Sequence, residues 1–122
     1  MRLKITSNGK VVSSNVKVAE SFVDRGVGLM FKSEMVGFDA LLIDPCKSIH
    51  TFFMRYDIDV LFIDSKWKVI KIKRNMKPWR MTGLSWRTSR VLELKGGGLI
   101  SDVKVGDILE VQCINWSQLQ EN

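Results

Sequence analysis

The sequence has few of the residues from which metal sites and disulfides are built. Its 122 residues include one histidine, His50, and two cysteines, Cys46 and Cys113, which lie far apart. A structural zinc site needs three or four protein ligands, so we expect neither a metal site nor a disulfide. The two cysteines are predicted to be reduced thiols of a cytoplasmic protein.

Long apolar runs are also missing. No segment approaches the roughly 18 apolar residues of a membrane-spanning helix. Residues 1–5 alternate between apolar and charged side chains and lack the apolar centre of a signal peptide. We therefore expect cytoplasmic localisation and no membrane partner. With 45% hydrophobic and 26% charged residues, residues 1–122 are predicted to form one globular domain whose tail frays from about residue 115.

Nucleotide-binding and catalytic motifs are absent from the sequence as well. The Gly26-x-Gly28 pair lacks the third glycine of a dinucleotide fingerprint, and no phosphate-loop Lys-Ser/Thr follows it. No serine or cysteine stands in a recognisable triad setting. We therefore predict no cofactor.

What the sequence does contain is a series of short β patterns. Leu3 and Ile5 alternate with polar residues, and Asn8-Gly9 behind them is a strong signal for a tight hairpin turn. Runs rich in β-branched and aromatic residues predict further strands at about 11–18, 40–43, 49–55, 58–64, 68–74, 91–94 and 109–113.

One segment has a helical pattern instead, at about residues 19–32. Ser21 and Asp24 fit a weak capping box there. The expected fold is therefore mainly β: an antiparallel barrel or two-sheet sandwich of seven or eight short strands, with one short helix packed against it.

Positive charge is concentrated in residues 66–95. This segment has ten Lys or Arg and one acid, Glu93, for a net charge of +9, whereas the rest of the chain carries −3. Such asymmetry indicates an anionic partner. The alternative is that these cations only keep a β-rich surface soluble and protect its edge strands.

Within that segment, cations alternate with aromatic residues. Trp79 or Trp86 could stack on bases or sugar rings while the cations neutralise phosphates. The alternative is a solvated strand whose tryptophans lie partly in the core. The surface predicted to face an anionic partner consists of Lys71, Lys73, Arg74, Lys77, Arg87 and Arg90.

Several short motifs occur in a fixed order along the chain. They are Arg25-x-x-Gly28-Leu29-Met30, His50-Thr51-Phe52-Phe53-Met54-Arg55, Ile58–Asp64, Lys77-Pro78-Trp79-Arg80, Val91–Leu94 and Gly106-Asp107. In order and spacing, this set resembles the "domain of unknown function 192" family of bacteria and archaea. The resemblance implies a small β-sandwich or barrel and implies no reaction.

The sequence departs from that family's pattern in two turns. Asp57 stands where the family commonly has proline, and Lys95-Gly96-Gly97 stands where it has Pro-Ala-Gly. Because both positions are in turns, the departures bear on local geometry more than on membership.

Four polar residues, His50, Asp59, Arg25 and Arg55, interrupt the apolar motifs. His50 could form a hydrogen bond to a ligand or transfer a proton. The alternative is that it orients a loop through hydrogen bonds to the backbone. Asp59 opens an apolar strand, where a lone buried charge is costly. Arg25 or Arg55 could pair with it, and a structural Arg25–Asp59 pair is favoured over a catalytic carboxylate.

These observations support a small non-enzymatic binding or accessory domain for an anionic partner. Its ligand site is predicted at His50, Arg55, Trp79 and Arg80. The alternatives are a small enzyme using His50 with Asp59 or Arg55 in a cleft, nucleic-acid binding through residues 66–95, and a scaffold without a small ligand.

Overall fold

A computed structural model describes residues 2–19, 29 and 34–114, which form seven strands and no helix. The predicted helix at about 19–32 and the tail from about 115 lie outside these residues, apart from Ala19 and Leu29, which are both buried. The strands are β1 (Arg2–Ser7), β2 (Lys10–Ala19), β3 (Ala40–Ile43), β4 (Ile58–Ile63), β5 (Val69–Met76), β6 (Arg90–Lys95) and β7 (Leu109–Cys113).

The seven strands make one mixed sheet that curls into a half-barrel, in the order β5-β4-β6-β3-β2-β1-β7. The mainly β prediction is confirmed. The purely antiparallel barrel and the two-sheet sandwich were wrong, because all seven strands share one sheet and β2 pairs with β3 in parallel, Val16 opposite Ala40. Residues 20–39 connect these two strands, and parallel pairing requires a crossover of about that length.

The first hairpin follows its sequence prediction. Asn8 and Gly9 have φ angles of 52° and 79°, the left-handed conformation that a tight hairpin turn needs. β1 then pairs with β2 on one side and with β7 on the other.

The two edge strands of the sheet meet at one end of the half-barrel. The Leu109 N–H donates to the Trp67 carbonyl at 2.8 Å, and the Val69 N–H donates to the Asp107 carbonyl at 2.8 Å. These bonds satisfy backbone groups that an open sheet edge would leave exposed.

Both faces of the sheet carry apolar layers. The central strands β3, β4 and β6 are therefore mostly apolar on both faces instead of alternating, although β4 includes Asp59 and β6 includes Glu93. One face holds Leu3, Ile5, Val12, Val16, Ala40, Leu42, Leu61, Ile63, Val69, Leu92, Leu94, Leu99, Val103 and Leu109. The opposite face holds Ala19, Leu29, Leu41, Ile43, Ile49, Met54, Ile58, Val60, Phe62, Met76 and Val91.

The strand predicted at 49–55 was wrong. This segment is irregular except for an isolated antiparallel bridge between His50 and Met81. Phe53 has a φ of 62°, and the Met54 N–H turns back to the Thr51 carbonyl at 3.2 Å. The apolar run was misleading because Met54 packs into a core layer while Phe53 turns towards solvent.

Candidate functional site

Two loop segments, residues 49–55 and 77–82, lie against each other beside the sheet, and we call them the loop platform. Thr51 joins them. Its buried hydroxyl donates to the Lys77 carbonyl at 2.6 Å and accepts the Arg80 N–H at 2.9 Å. Its backbone N–H donates to the Arg80 carbonyl at 2.7 Å, and its carbonyl accepts the Trp79 N–H at 3.0 Å. One threonine thus holds the backbone of both segments.

Two aromatic residues of the platform have an unusual backbone conformation. Phe53 and Trp79 have φ angles of 62° and 64°, a region that costs a non-glycine residue about 1–3 kcal/mol and that clusters at functional sites. Both residues are exposed to solvent, with relative accessibilities of 45% for Phe53 and 57% for Trp79. Their centroids lie 4.7 Å apart in an edge-to-face contact.

Two more rings extend this group, which we call the aromatic cluster: His50, Phe52, Phe53 and Trp79. The Phe52 centroid lies 6.0 Å from that of Trp79 and 5.1 Å from that of His50. The His50 Nδ1 accepts the Phe52 N–H at 3.3 Å, so His50 orients its own loop. The platform therefore presents an aromatic surface on a rigid backbone.

A cavity of about 320 Å³ lies between β5 and the loop platform, and we call it the cationic cavity. Among the residues that the structure describes, its lining has four cations and no acid: Lys73, Arg74, Met76, Lys77, Arg80 and Met81. From the sequence we expected Lys73, Arg74 and Lys77 to act as one surface and Arg80 to belong to a ligand site with Trp79. The fold brings all four cations to one concave place next to the aromatic cluster.

Two of the four cations are engaged within the protein. The Arg74 guanidinium donates to the Leu99 and Ile100 carbonyls at 2.8 and 2.9 Å. The Lys77 Nζ pairs with the Asp57 carboxylate at 2.6 Å.

The other two cations are more open to a ligand. Among the described residues, the Lys73 ammonium has no hydrogen bond or ion pair. Within that part of the chain, the Arg80 guanidinium reaches only the Pro78 and Trp79 carbonyls, at 3.4 Å each. Lys73 and Arg80 are therefore the groups best able to hold an anion.

Arg90 lies at another part of the sheet and is held there. Its Nε donates to the Asp44 carboxylate at 2.8 Å, and its NH1 donates to the Asp64 carbonyl at 3.0 Å. The guanidinium carbon also lies 4.1 Å from the ring centroid of Trp67. Arg90 thus ties β6 to the neighbouring turns.

The remaining predicted cations do not line the cationic cavity. The Lys71 Nζ lies 5.4 Å from the Phe62 ring centroid, and Arg55 and Arg87 are exposed. Trp86, the other tryptophan of the basic segment, is 78% exposed. These side chains extend the basic and aromatic surface beyond the cavity.

Asp59 is fully buried, and its carboxylate accepts three backbone N–H groups. They come from Asn75 at 2.8 Å and from Gly97 and Leu99 at 3.0 Å each. Its predicted partner Arg25 lies outside the described residues. Amide donors can stabilise a buried carboxylate without a cation. Because the donors come from the end of β5 and from the loop after β6, Asp59 joins these two parts of the chain.

The residues of the enzyme hypothesis are not joined to one another. In the ranges described, no hydrogen bond or ion pair links Asp59 to His50 or to Arg55. Because the Asp59 carboxylate is covered by protein, it has no route to a substrate.

A buried acidic group on β6 was missed by sequence reasoning. Glu93 is 4% exposed, and burial raises its pKa to about 8. Its charge also acts on Tyr56 and Cys46. Burial first and then Glu93 raise the pKa of Tyr56 to about 12, and burial raises the pKa of the Cys46 thiol. The available signal was an acid inside the apolar run 91–94.

The described residues also bear on metal and membrane binding. Among them, no three His, Cys, Asp or Glu side chains converge in a way that could hold a metal ion. Cys46 and Cys113 are free thiols. In the same part of the chain no helix has the length and apolar character needed to cross a bilayer.

Comparison of the sequence with known families gives one match across most of the chain. Residues 3–111 match the family DUF192, described as "Uncharacterized ACR". A UPF0127 protein of Pyrococcus furiosus is 32% identical over 111 residues, which cover 85% of this chain and 92% of the relative.

Two other archaeal relatives match over a shorter stretch. The UPF0127 protein of Pyrococcus horikoshii is 41% identical over 69 residues, 54% of this chain and 59% of the relative. That of Thermococcus sibiricus is 40% identical over 79 residues, 61% of this chain and 50% of the relative. The chain therefore aligns with only half to three-fifths of these two proteins.

Two solved structures share the fold. A proposed transcription regulator of Sinorhizobium meliloti superposes with a TM-score of 0.73 at 26% identity, covering 90% of this chain and 92% of its own. A protein of unknown function from Novosphingobium aromaticivorans has a TM-score of 0.73 at 20% identity, with 90% and 84% covered.

Proposed function

This chain belongs to the domain of unknown function 192 (DUF192) family, and from that premise we propose that it is a non-enzymatic binding domain for an anionic partner. The partner binds the cationic cavity and the adjoining aromatic cluster. His50, Trp79 and Arg80 belong to this surface, and the exposed Arg55 lies at the end of one of its loops.

The observation that carries the proposal is the lining of the cationic cavity. Four cations share about 320 Å³ with no acid in the lining, although Asp57 holds one of them from outside. Like charges in one concave site repel each other and focus a positive potential. An anion in the cavity relieves that repulsion, and Lys73 and Arg80 are the groups available to it.

One structural relative supports the same direction. The S. meliloti protein is described as a proposed transcription regulator, and many transcription regulators bind nucleic acid, which is a polyanion. The enzyme alternative has less support, because a general base must come within hydrogen-bond reach of its substrate and the Asp59 carboxylate is covered by backbone amides.

Heparin chromatography tests the proposal. The wild-type protein should be retained near physiological salt, and Lys73→Glu combined with Arg80→Glu should elute at clearly lower salt. Lys66→Glu combined with Lys104→Glu is the control of equal charge change, because both are exposed cations outside the cavity lining.

Melting curves should be run beside the columns. Exposed charge changes usually alter stability by under about 0.5 kcal/mol, so the double variant and the control should both remain folded. A wild-type protein that flows through at physiological salt, or a control that shifts as far as the double variant, would contradict the proposal.

A further inference from the structure

We infer that the anionic partner is single-stranded nucleic acid, with one base stacked on Trp79 and the neighbouring phosphates in the cationic cavity. The inference rests on the proposed function and adds the class of ligand. It depends on three features of the structure: the exposed indole, its position between two cavity cations, and the backbone bonds that hold it in place.

Trp79 is exposed to solvent and not buried. It is 57% exposed, although tryptophan usually lies mostly in the protein interior. Phe53 contacts it edge to face with centroids 4.7 Å apart, which leaves over half of the residue's surface to solvent. Exposed aromatic rings on which bases stack are the common device of single-strand binding proteins.

Trp79 and two of the cavity cations belong to one short segment of the loop platform. Lys77 and Arg80 both line the cavity, and Trp79 lies between them in sequence. Lys73 approaches from β5, the strand beside the cavity. A base stacked on Trp79 therefore places its own backbone phosphates next to cations.

Hydrogen bonds within the protein hold the backbone of the platform. The Trp79 N–H and both backbone groups of Arg80 are bonded to Thr51, so the left-handed conformation at Trp79 is held by the fold. A prearranged ring loses little conformational freedom on binding, which favours a stacking role over a merely tolerated surface tryptophan.

The geometry favours single strands over duplex. The bases of a duplex are already stacked on one another and cannot offer a face to Trp79, whereas an unpaired strand can. Duplex sequence is read mostly by a helix or a two-stranded ribbon in the major groove. Here the exposed ring and the cations beside it belong to the loop platform and to β5.

Fluorescence anisotropy with labelled oligonucleotides tests this inference. The wild-type protein should bind an intact single strand more tightly than an abasic strand of equal length and charge, and more tightly than the matching duplex. This comparison needs no variant, so it does not depend on how any substitution folds. A mononucleotide, which offers one base and one phosphate, should bind far more weakly than the strand.

Variants then separate stacking from charge. Trp79→Ala should weaken binding of the intact strand by about 5- to 100-fold and leave abasic binding unchanged, while Trp79→Phe should retain most of the affinity. Lys73→Glu should weaken binding of both strands and reduce the salt slope by about 0.7 for each phosphate that is no longer neutralised. Lys104→Glu alone is the control of equal charge change.

The outcomes distinguish the inference from the proposed function. Equal binding of intact and abasic strands, tighter binding of duplex, or a mononucleotide that binds as tightly as the strand would overturn the inference, while heparin binding would still support an anion-binding domain. Failure to bind heparin and every oligonucleotide would overturn both.

Discussion

At the scale of single residues, Glu93 and Asp59 show that two buried carboxylates can be accommodated in different ways. The Asp59 carboxylate accepts three backbone N–H groups, so its charge is compensated by hydrogen bonds. Glu93 lies among apolar neighbours on β6, where burial raises its pKa to about 8. The first residue stabilises a loop junction, whereas the second makes stability depend on pH.

The sign of that pH dependence follows from proton binding. The ordinary pKa of a glutamate is near 4.5, and the folded protein raises that of Glu93 to about 8. Between these values the folded chain holds a proton that the unfolded chain releases. The contribution of Glu93 to stability is therefore complete below about pH 4.5 and is lost as the pH rises to about 8.

Glu93→Gln should remove this pH dependence because the amide stays neutral. At pH 5 the free energy of unfolding of the variant should be close to that of the wild type. At pH 9 it should be higher by about 2–4 kcal/mol. Glu110→Gln, an exposed acid on β7, is the matched control and should show no such divergence. If the stabilities of the wild type and of Glu93→Gln changed in parallel between pH 5 and pH 9, Glu93 would not be buried as described.

At the scale of elements, the loop platform combines irregular backbone pairing with the bonds of one buried hydroxyl group. An apolar run at 49–55 satisfies the sequence pattern of a strand, yet the chain turns at Phe53, whose φ is 62°. Three backbone bonds join the two segments, and the Thr51 hydroxyl adds bonds to Lys77 and Arg80. The platform therefore should be sensitive to a change that removes only this oxygen.

Thr51→Val keeps the shape of the side chain and removes its hydrogen bonds. The Lys77 carbonyl and the Arg80 N–H would lose a partner, which should cost about 1–3 kcal/mol of stability. Heparin elution should also move to lower salt, because the Arg80 N–H loses the hydroxyl that fixes it and only the backbone bonds of residue 51 to Trp79 and Arg80 remain.

A second buried threonine provides the control for that variant. Thr88 is fully buried and donates to the Ser85 hydroxyl at 2.8 Å, outside the platform. Thr88→Val should lower the melting temperature without moving heparin elution. If Thr51→Val were destabilised but eluted like the wild type, the platform would have no part in binding.

At the scale of the whole molecule, the half-barrel has a protected centre and exposed edges. β4 and β6 are buried on nearly every residue, whereas four of the five residues of β7 are exposed. Local opening is cheapest where few apolar contacts must break. The cationic cavity, where we propose that the partner binds, adjoins β5, the strand at one edge of the sheet.

Hydrogen exchange followed by mass spectrometry should reproduce this gradient. Peptides covering 58–63 and 90–95 should exchange most slowly, and peptides covering 109–113 should exchange sooner. The backbone amides of 77–82 provide an internal check. Those of Trp79, Arg80 and Thr82 are bonded to residues of the 49–55 segment, so they should exchange more slowly than the amides of an open loop. Equal protection of β4 and β7 would contradict a sheet with one weak edge.

The sequence by itself determined the mainly β class and the family. Period-two patterns and apolar runs predicted all seven strands, because strand periodicity is local. The Asn8-Gly9 turn was predictable for the same reason, since positive φ angles at adjacent positions are tolerated by few residue types. The predicted family resemblance is confirmed by the match across residues 3–111.

Only the tertiary structure decided which charges remain available. Ten cations in residues 66–95 look alike in the sequence, yet Arg74 and Arg90 are held by carbonyls and a carboxylate while Lys73 lines an open cavity. The parallel pairing of β2 with β3 and the amide partners of Asp59 were equally hidden. Each of these depends on residues brought together across long stretches of chain, and sequence spacing carries no record of such proximity.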